Sequence, residues 1–187
     1  GPKRLVASSY NNIGSILMMQ EHYEEALEYY KKYLNISIEL QNKRNEGMAY
    51  SNIGIIHQNL GKKPKAVAYY KKSMAILREL GDRRSLSNTL LNLGDLYVEM
   101  QRFEKAEMHL TESLEIASEL GAKGNKATAL VNMAILKERT GNPGEAVRLA
   151  RQSLDLTKKL GALEEQRYAY KTLANAYGAQ NMYQEAF

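Results

Sequence analysis

GMAYSNIGIIHQNLGKKPKAVAYYKKSMAILRELGDRRSL, residues 47–86, holds one full period of a pattern that fills the chain. Displaced by forty residues in either direction it falls on a related copy without an insertion. Five copies begin near Ala7, Gly47, Ser87, Ala127 and Arg167. Self-similarity at such a period marks an array in which each unit buries its apolar face on the next. Each copy opens on a related segment: YNNIG, YSNIG, LLNLG, LVNMA and YKTLA. These bring Asn12, Asn52, Asn92, Asn132 and Thr172 into register, each followed by a large apolar and then a small residue.

Within a copy the apolar spacing is helical throughout, with Tyr10, Ile13 and Leu17 on one face of a first helix and Leu27, Tyr30, Leu34 and Ile38 on one face of a second. The small residues of the first helices are Gly14, Gly54, Gly94, Ala134 and Ala174; those of the second are Ala26, Ala66, Ala106, Ala146 and Ala186. A glycine inside a helix costs up to about 1 kcal/mol relative to alanine, so a packing reason is expected. The two sets are expected to meet where the helices cross closely. Gly61 and Gly141 stand where first helices should stop, and Gly81, Gly121 and Gly161 where second helices should. Pro64 and Pro143 sit at the start of second helices, where proline is tolerated. Tyr10, Tyr30, Tyr50, Tyr70 and Tyr170 recur in phase with the repeat and are expected in the core.

The pairing of Ile53 with Gly54, the residues Leu17, Tyr97 and Tyr177, the second-helix alanines and Tyr30 and Tyr70 together resemble the tetratricopeptide repeat family over essentially the whole chain. The forty-residue period exceeds that family's usual length and is similar to the subgroup of kinesin light chains and LGN-type adaptors, which also carries asparagine where Asn12, Asn52, Asn92 and Asn132 stand. The resemblance implies an all-α fold, an α-α superhelix of about five antiparallel helix pairs with the last incomplete. The expected organisation is a lead-in over 1–6, whose Gly1-Pro2 reads as a protease-cleavage scar, repeats over 7–46, 47–86, 87–126 and 127–166, and a partial fifth over 167–187. Met182 to Phe187 stop just after a new helix should begin, so the chain reads as a fragment, and self-association or loosening is expected at that end.

In the family, first helices line a concave side that holds a ligand. By that resemblance the peptide-binding candidates are Asn12, Ser15, Met19, Asn52, Ile55, Asn59, Asn92, Asp95, Glu99, Asn132, Ile135 and Arg139. A carboxamide offers both an acceptor and a donor, so the asparagine column can pair with a peptide backbone on both sides. Packed helices lie about 8–10 Å apart and an extended chain advances about 3.3 Å per residue. Successive amides would then meet roughly every third ligand residue. The competing reading has these amides bonding to neighbouring helices and setting repeat geometry. Ile55, Ile135 and Met19 would form pockets for ligand side chains, or else pack in the core. The chaperone-tail clamp of some family members requires asparagine where Ser15, Ile55 and Asp95 stand, so that ligand is disfavoured.

Composition narrows the function further. There is no cysteine, which removes disulfides, thiolate metal sites and cysteine nucleophiles. His22, His57 and His109 are isolated in sequence, and no metalloprotease or serine-hydrolase motif occurs, so no catalytic residue, metal or cofactor is expected. GAKGNKAT, from Gly121 to Thr128, has the wrong spacing for a phosphate loop and aligns with an ordinary turn between repeats. A net charge of +5 suits an acidic partner. Lys43, Arg44, Arg83, Arg84, Lys123, Lys126 and Arg167 gather at turns, with a second set at Lys62, Lys63, Lys65, Lys71 and Lys72. Both sets are read as a solvated rim. Nucleic acid is disfavoured because no aromatic platform is interleaved with them.

No apolar stretch is long enough for membrane insertion, and a cytoplasmic location is expected, with an extracytoplasmic sensor region as the alternative. The expected function is a non-enzymatic adaptor or scaffold holding a protein or extended peptide. The alternative is the sensory or regulatory part of a larger signalling protein, a kinase or transcription regulator.

Overall fold

A computed structural model describes residues 2–179, apart from the side chains of Glu164 and Glu165. The described residues form α-helices joined by short turns, with no strand among them. The helices are α1 (Pro2–Met19), α2 (Tyr23–Glu39), α3 (Lys43–Asn59), α4 (Lys63–Leu80), α5 (Arg83–Glu99), α6 (Phe103–Glu119), α7 (Lys123–Arg139), α8 (Pro143–Leu160) and α9 (Leu163–Ala179). First helices α3, α5, α7 and α9 each begin four residues ahead of Gly47, Ser87, Ala127 and Arg167, where the sequence period was counted. Ala186 and the segment Met182 to Phe187 lie outside the described residues.

A left-handed residue occurs every twenty residues: Glu21, Gln41, Gly61, Gly81, Gln101, Gly121, Gly141 and Gly161 all have φ between 52° and 77°. Each ends a helix in the same way. Gly61 N–H donates to Gln58 O at 2.9 Å and Lys62 N–H to His57 O at 2.8 Å, satisfying carbonyls that the helix end would otherwise leave open. Glu21 with His22, and Gln41 with Asn42, repeat those two bonds without a glycine. Pro64 lies in the first turn of α4 and Pro143 opens α8, as their missing N–H groups allow.

The chain divides into two compact units, 1–92 and 93–187. In the first, α1 packs on α2, α2 on α3 and α3 on α4, around Ala26, Tyr30, Tyr33, Ala49, Ile53 and Ile56. In the second, α6 packs on α7, α7 on α8, and α9 on both α7 and α8, around Leu130, Ala134, Leu149, Ala150, Leu173 and Tyr177.

The reason for the first-helix glycines differs from the expectation that they meet the second-helix alanines. A methyl group added at Gly14 would lie 3.0 Å from the ring of Tyr30, and one at Gly54 2.6 Å from the ring of Tyr70. At Gly94 the obstacle is the Leu110 side chain, at 2.7 Å. The large residue one turn beyond each alanine therefore fills the space, because helical side chains lean back toward the N-terminus over the preceding turn. Tyr30 and Tyr70 are wholly buried, as their phase suggested, but Tyr10 and Tyr50 are half-buried and Tyr170 is exposed.

Candidate functional site

Residues after the register asparagine are buried in α3 and α5, whereas Ile13 of α1 is exposed and Met133 of α7 half-buried, and a strip stays open beside them. In the first unit α1 exposes Asn12 and Met19, with Ser15 half-buried. On α3, Asn52 and Ile55 are half-buried and Asn59 is exposed; Asn92, near the middle of α5, is half-buried. In the second unit Asp95, Asn132 and Ile135 are half-buried, and Glu99 and Arg139 exposed.

Several of these side chains already have partners. Asn52 Nδ2 donates to Asn11 Oδ1 at 3.1 Å, which holds α1 and α3 side by side and commits one half of that amide to repeat geometry. Ser15 Oγ donates to Asn11 O at 3.0 Å and lies 3.1 Å from Tyr30 Oη, so its hydroxyl turns toward the core. Ile135 packs against the apolar cluster of the second unit, and Arg139 reaches Val98 O at 3.4 Å. Met19, 82% exposed, is the most open apolar residue of the strip.

The strip has an aromatic and cationic counterpart that recurs at the repeat distance. Tyr10 and Tyr29 lie 5.9 Å apart with the Lys32 ammonium over both rings, and Tyr50 and Tyr69 lie 6.1 Å apart with Lys72 over both. A cation over an aromatic face is held by the ring quadrupole, so these lysines have a fixed seat. Sequence phase pointed to Tyr10 and Tyr50, as core residues, but not to Tyr29, Tyr69 or the lysine that caps each pair, since the three residues come from both helices of a hairpin.

A feature missed from the sequence lies on the second-helix side of the first unit. Lys31 of α2, His57 of α3, Lys62 in the following turn, and Lys65, Tyr69 and Lys72 of α4 line a cavity of about 480 Å³. His57 is buried and stacks on Tyr69 at 5.2 Å. Burial, and then the positive charges of Lys65, Lys62 and Lys31, hold its imidazole below the ordinary histidine range.

No arrangement of three or more acidic or histidine side chains suited to a metal occurs among the described residues, and none of their helices is long and apolar enough to cross a membrane.

A family model described as tetratricopeptide repeat matches residues 5–79, 85–159 and 126–187. Among solved structures, BtubC (BKLC) from P. vanneervenii is similar with a TM-score of 0.84 and 18% identity, over 97% of this chain and 76% of that one. A putative kinesin light chain from Podosopora anserina with nearly identical TPR-like repeats is similar with a TM-score of 0.76 and 19% identity, over 100% and 91% of the two chains. A Rap protein complexed with competence and sporulation factor gives a TM-score of 0.87 at 17% identity, over 97% of this chain and 51% of that one. At such identities the likeness concerns the fold alone. No match was found among curated proteins. With the family model matching nearly every residue and helical hairpins recurring at one period, the chain belongs to the tetratricopeptide repeat family and is a protein-interaction repeat scaffold, a fold that is typically non-enzymatic.

Proposed function

We propose that the chain is an adaptor that holds an extended segment of a partner protein along the open strip of its first helices. The observation that carries this reading is the hydrogen bond from Asn52 to Asn11, the neighbour of its register equivalent Asn12, which sets α1 and α3 side by side and leaves Asn52 Oδ1 and its neighbours for a ligand backbone. Exposed Met19 and half-buried Ile55 offer apolar contact beside the amides, the combination by which extended peptides gain both affinity and selectivity. The excess of basic residues favours an acidic segment. A similar structure was solved with competence and sporulation factor bound, which supports a ligand-holding use of this fold.

The test uses peptides of about 12 residues, long enough to cross three or four helix spacings, selected on the immobilised chain from a random library. Asn52→Ala combined with Asn92→Ala removes two amides worth about 1 kcal/mol each and is expected to weaken such a peptide roughly tenfold or more. Thermal stability is expected to change little. Unchanged peptide affinity, or a collapse in stability, would assign the amides to repeat geometry alone.

A further inference from the structure

The basic cavity on the second-helix side of the first unit is not a general feature of the repeat. Eighty residues further on, Glu107, Lys137, Asn142, Glu145 and Gln152 stand where Leu27, His57, Lys62, Lys65 and Lys72 line the cavity. There the charges are settled internally: Lys137 pairs with Glu107 at 2.6 Å, and Glu145 with Arg148 at 2.6 Å. Forty residues on, Arg102 and Lys105 keep the charge of Lys62 and Lys65, but Glu112 replaces Lys72. The array therefore folds with carboxylates at some of these places, and packing alone does not require the full set of ammonium groups around 57–72.

His57 stacks on Tyr69 with its Nδ1 buried and making no hydrogen bond, as at Nδ1 of His109, so the ring forms part of the cavity wall. The observation that indicates a ligand is the surrounding positive charge, which is left largely unneutralised. Lys31 of α2 is engaged by Glu28 at 2.8 Å, and Lys72 of α4 is seated over Tyr50 and Tyr69 without a carboxylate. Lys62 and Lys65 contribute their charge to the cavity from the turn and from α4. One carboxylate would neutralise one ammonium; a phosphate monoester carries close to two charges and three acceptor oxygens, enough to engage several lysines together.

We propose that this cavity binds a phosphate monoester, with Lys62, Lys65 and Lys72 neutralising the dianion beside the His57 ring. The site stands apart from the first-helix strip, and neither reading depends on the other. The phosphate is either free or carried on a side chain of a bound protein.

The whole chain, labelled with ¹⁵N in histidine, is titrated with inorganic phosphate at constant ionic strength, and the His57 ring resonances are followed. Phosphate is expected to shift them saturably and to move the titration of His57 upward, since an anion in the cavity opposes the lysine field. Lys62→Gln with Lys65→Gln, both at exposed positions, is expected to lower phosphate affinity about tenfold while the far-ultraviolet circular dichroism stays unchanged. A phosphoserine peptide binding at least about tenfold more tightly than inorganic phosphate assigns the site to a protein-borne group, and equal affinity assigns it to free phosphate. Shifts of the same size with sodium chloride or glutamate, or undiminished phosphate binding by the folded double variant, would overturn the proposal.

Discussion

At the scale of single residues, what organises the repeat is a reciprocal choice of size across each hairpin. Tyr30, Tyr70 and Leu110 stand opposite Gly14, Gly54 and Gly94, whereas Ala134 is buried in one cluster with Ala150, the residue at the equivalent second-helix place. A first-helix methyl group is thus accommodated where the opposing side chain is short. Gly94→Ala is expected to cost about 1–2 kcal/mol, the strain against Leu110 exceeding the gain in helix propensity, and Leu110→Ala alone about 2–5 kcal/mol. Combined, they recreate the pair found at Ala134 and Ala150, and urea denaturation is expected to show a double variant at least about 1 kcal/mol more stable than the two separate losses predict. Strict additivity would contradict the size-matching account. The existence of a close contact was legible in the sequence as a glycine inside a helical pattern. Its partner was not, because spacing places side chains on a face without saying how far each leans along the helix axis.

Helices and turns obey a stricter rhythm than the forty-residue period suggested, with one left-handed helix stop every twenty residues. Five of those stops were readable because glycine occupies them. Glu21, Gln41 and Gln101 were not, since such residues cost about 1–2 kcal/mol in that conformation and only the paired helix-ending bonds reveal why they adopt it. Helix starts are less uniform. Asn42 caps α3 by accepting from Asn45 N–H, and Asp82 caps α5 by accepting from Ser85 N–H at 3.1 Å and Ser85 Oγ–H at 2.8 Å. Asp82 also accepts from Arg44 Nε at 2.7 Å, tying the start of one first helix to the next. Burial works to raise the Asp82 carboxyl, but the two bonds from Ser85 and the Arg44 guanidinium more than offset it and hold it below the usual carboxylate range. A carboxyl depressed on folding stabilises the folded state above its unfolded value, near pH 4, and that contribution fades as acid protonates it. Asp82→Ala is accordingly expected to cost about 1–2 kcal/mol near neutrality, with the gap to the parent narrowing below about pH 4. A gap independent of pH, measured by denaturation across that range, would place the role of Asp82 elsewhere.

For the molecule as a whole, the all-helical repeat architecture was open to reading because one phase recurs without insertion, and repeated apolar spacing leaves few other ways to bury a core. The candidate strip residues are all exposed or half-buried. What the strip does with its amides was less legible, since Asn52 bonds to Asn11 and Ser15 turns to Tyr30, contacts between residues that no local pattern relates. The basic cavity escaped for a similar reason. Its lysines look like an ordinary charged rim in sequence, and only folding brings Lys31, His57 and Lys72 around one space. The central claim is that equivalent first-helix positions act together on one extended ligand. Backbone amide shifts of the isotopically labelled chain, recorded as a selected acidic peptide is added, test it most directly. The account predicts perturbations that recur forty residues apart within the first unit, at 12–19 and 52–59, with second helices little changed. Perturbations gathered on second helices, or confined to one repeat, would contradict it.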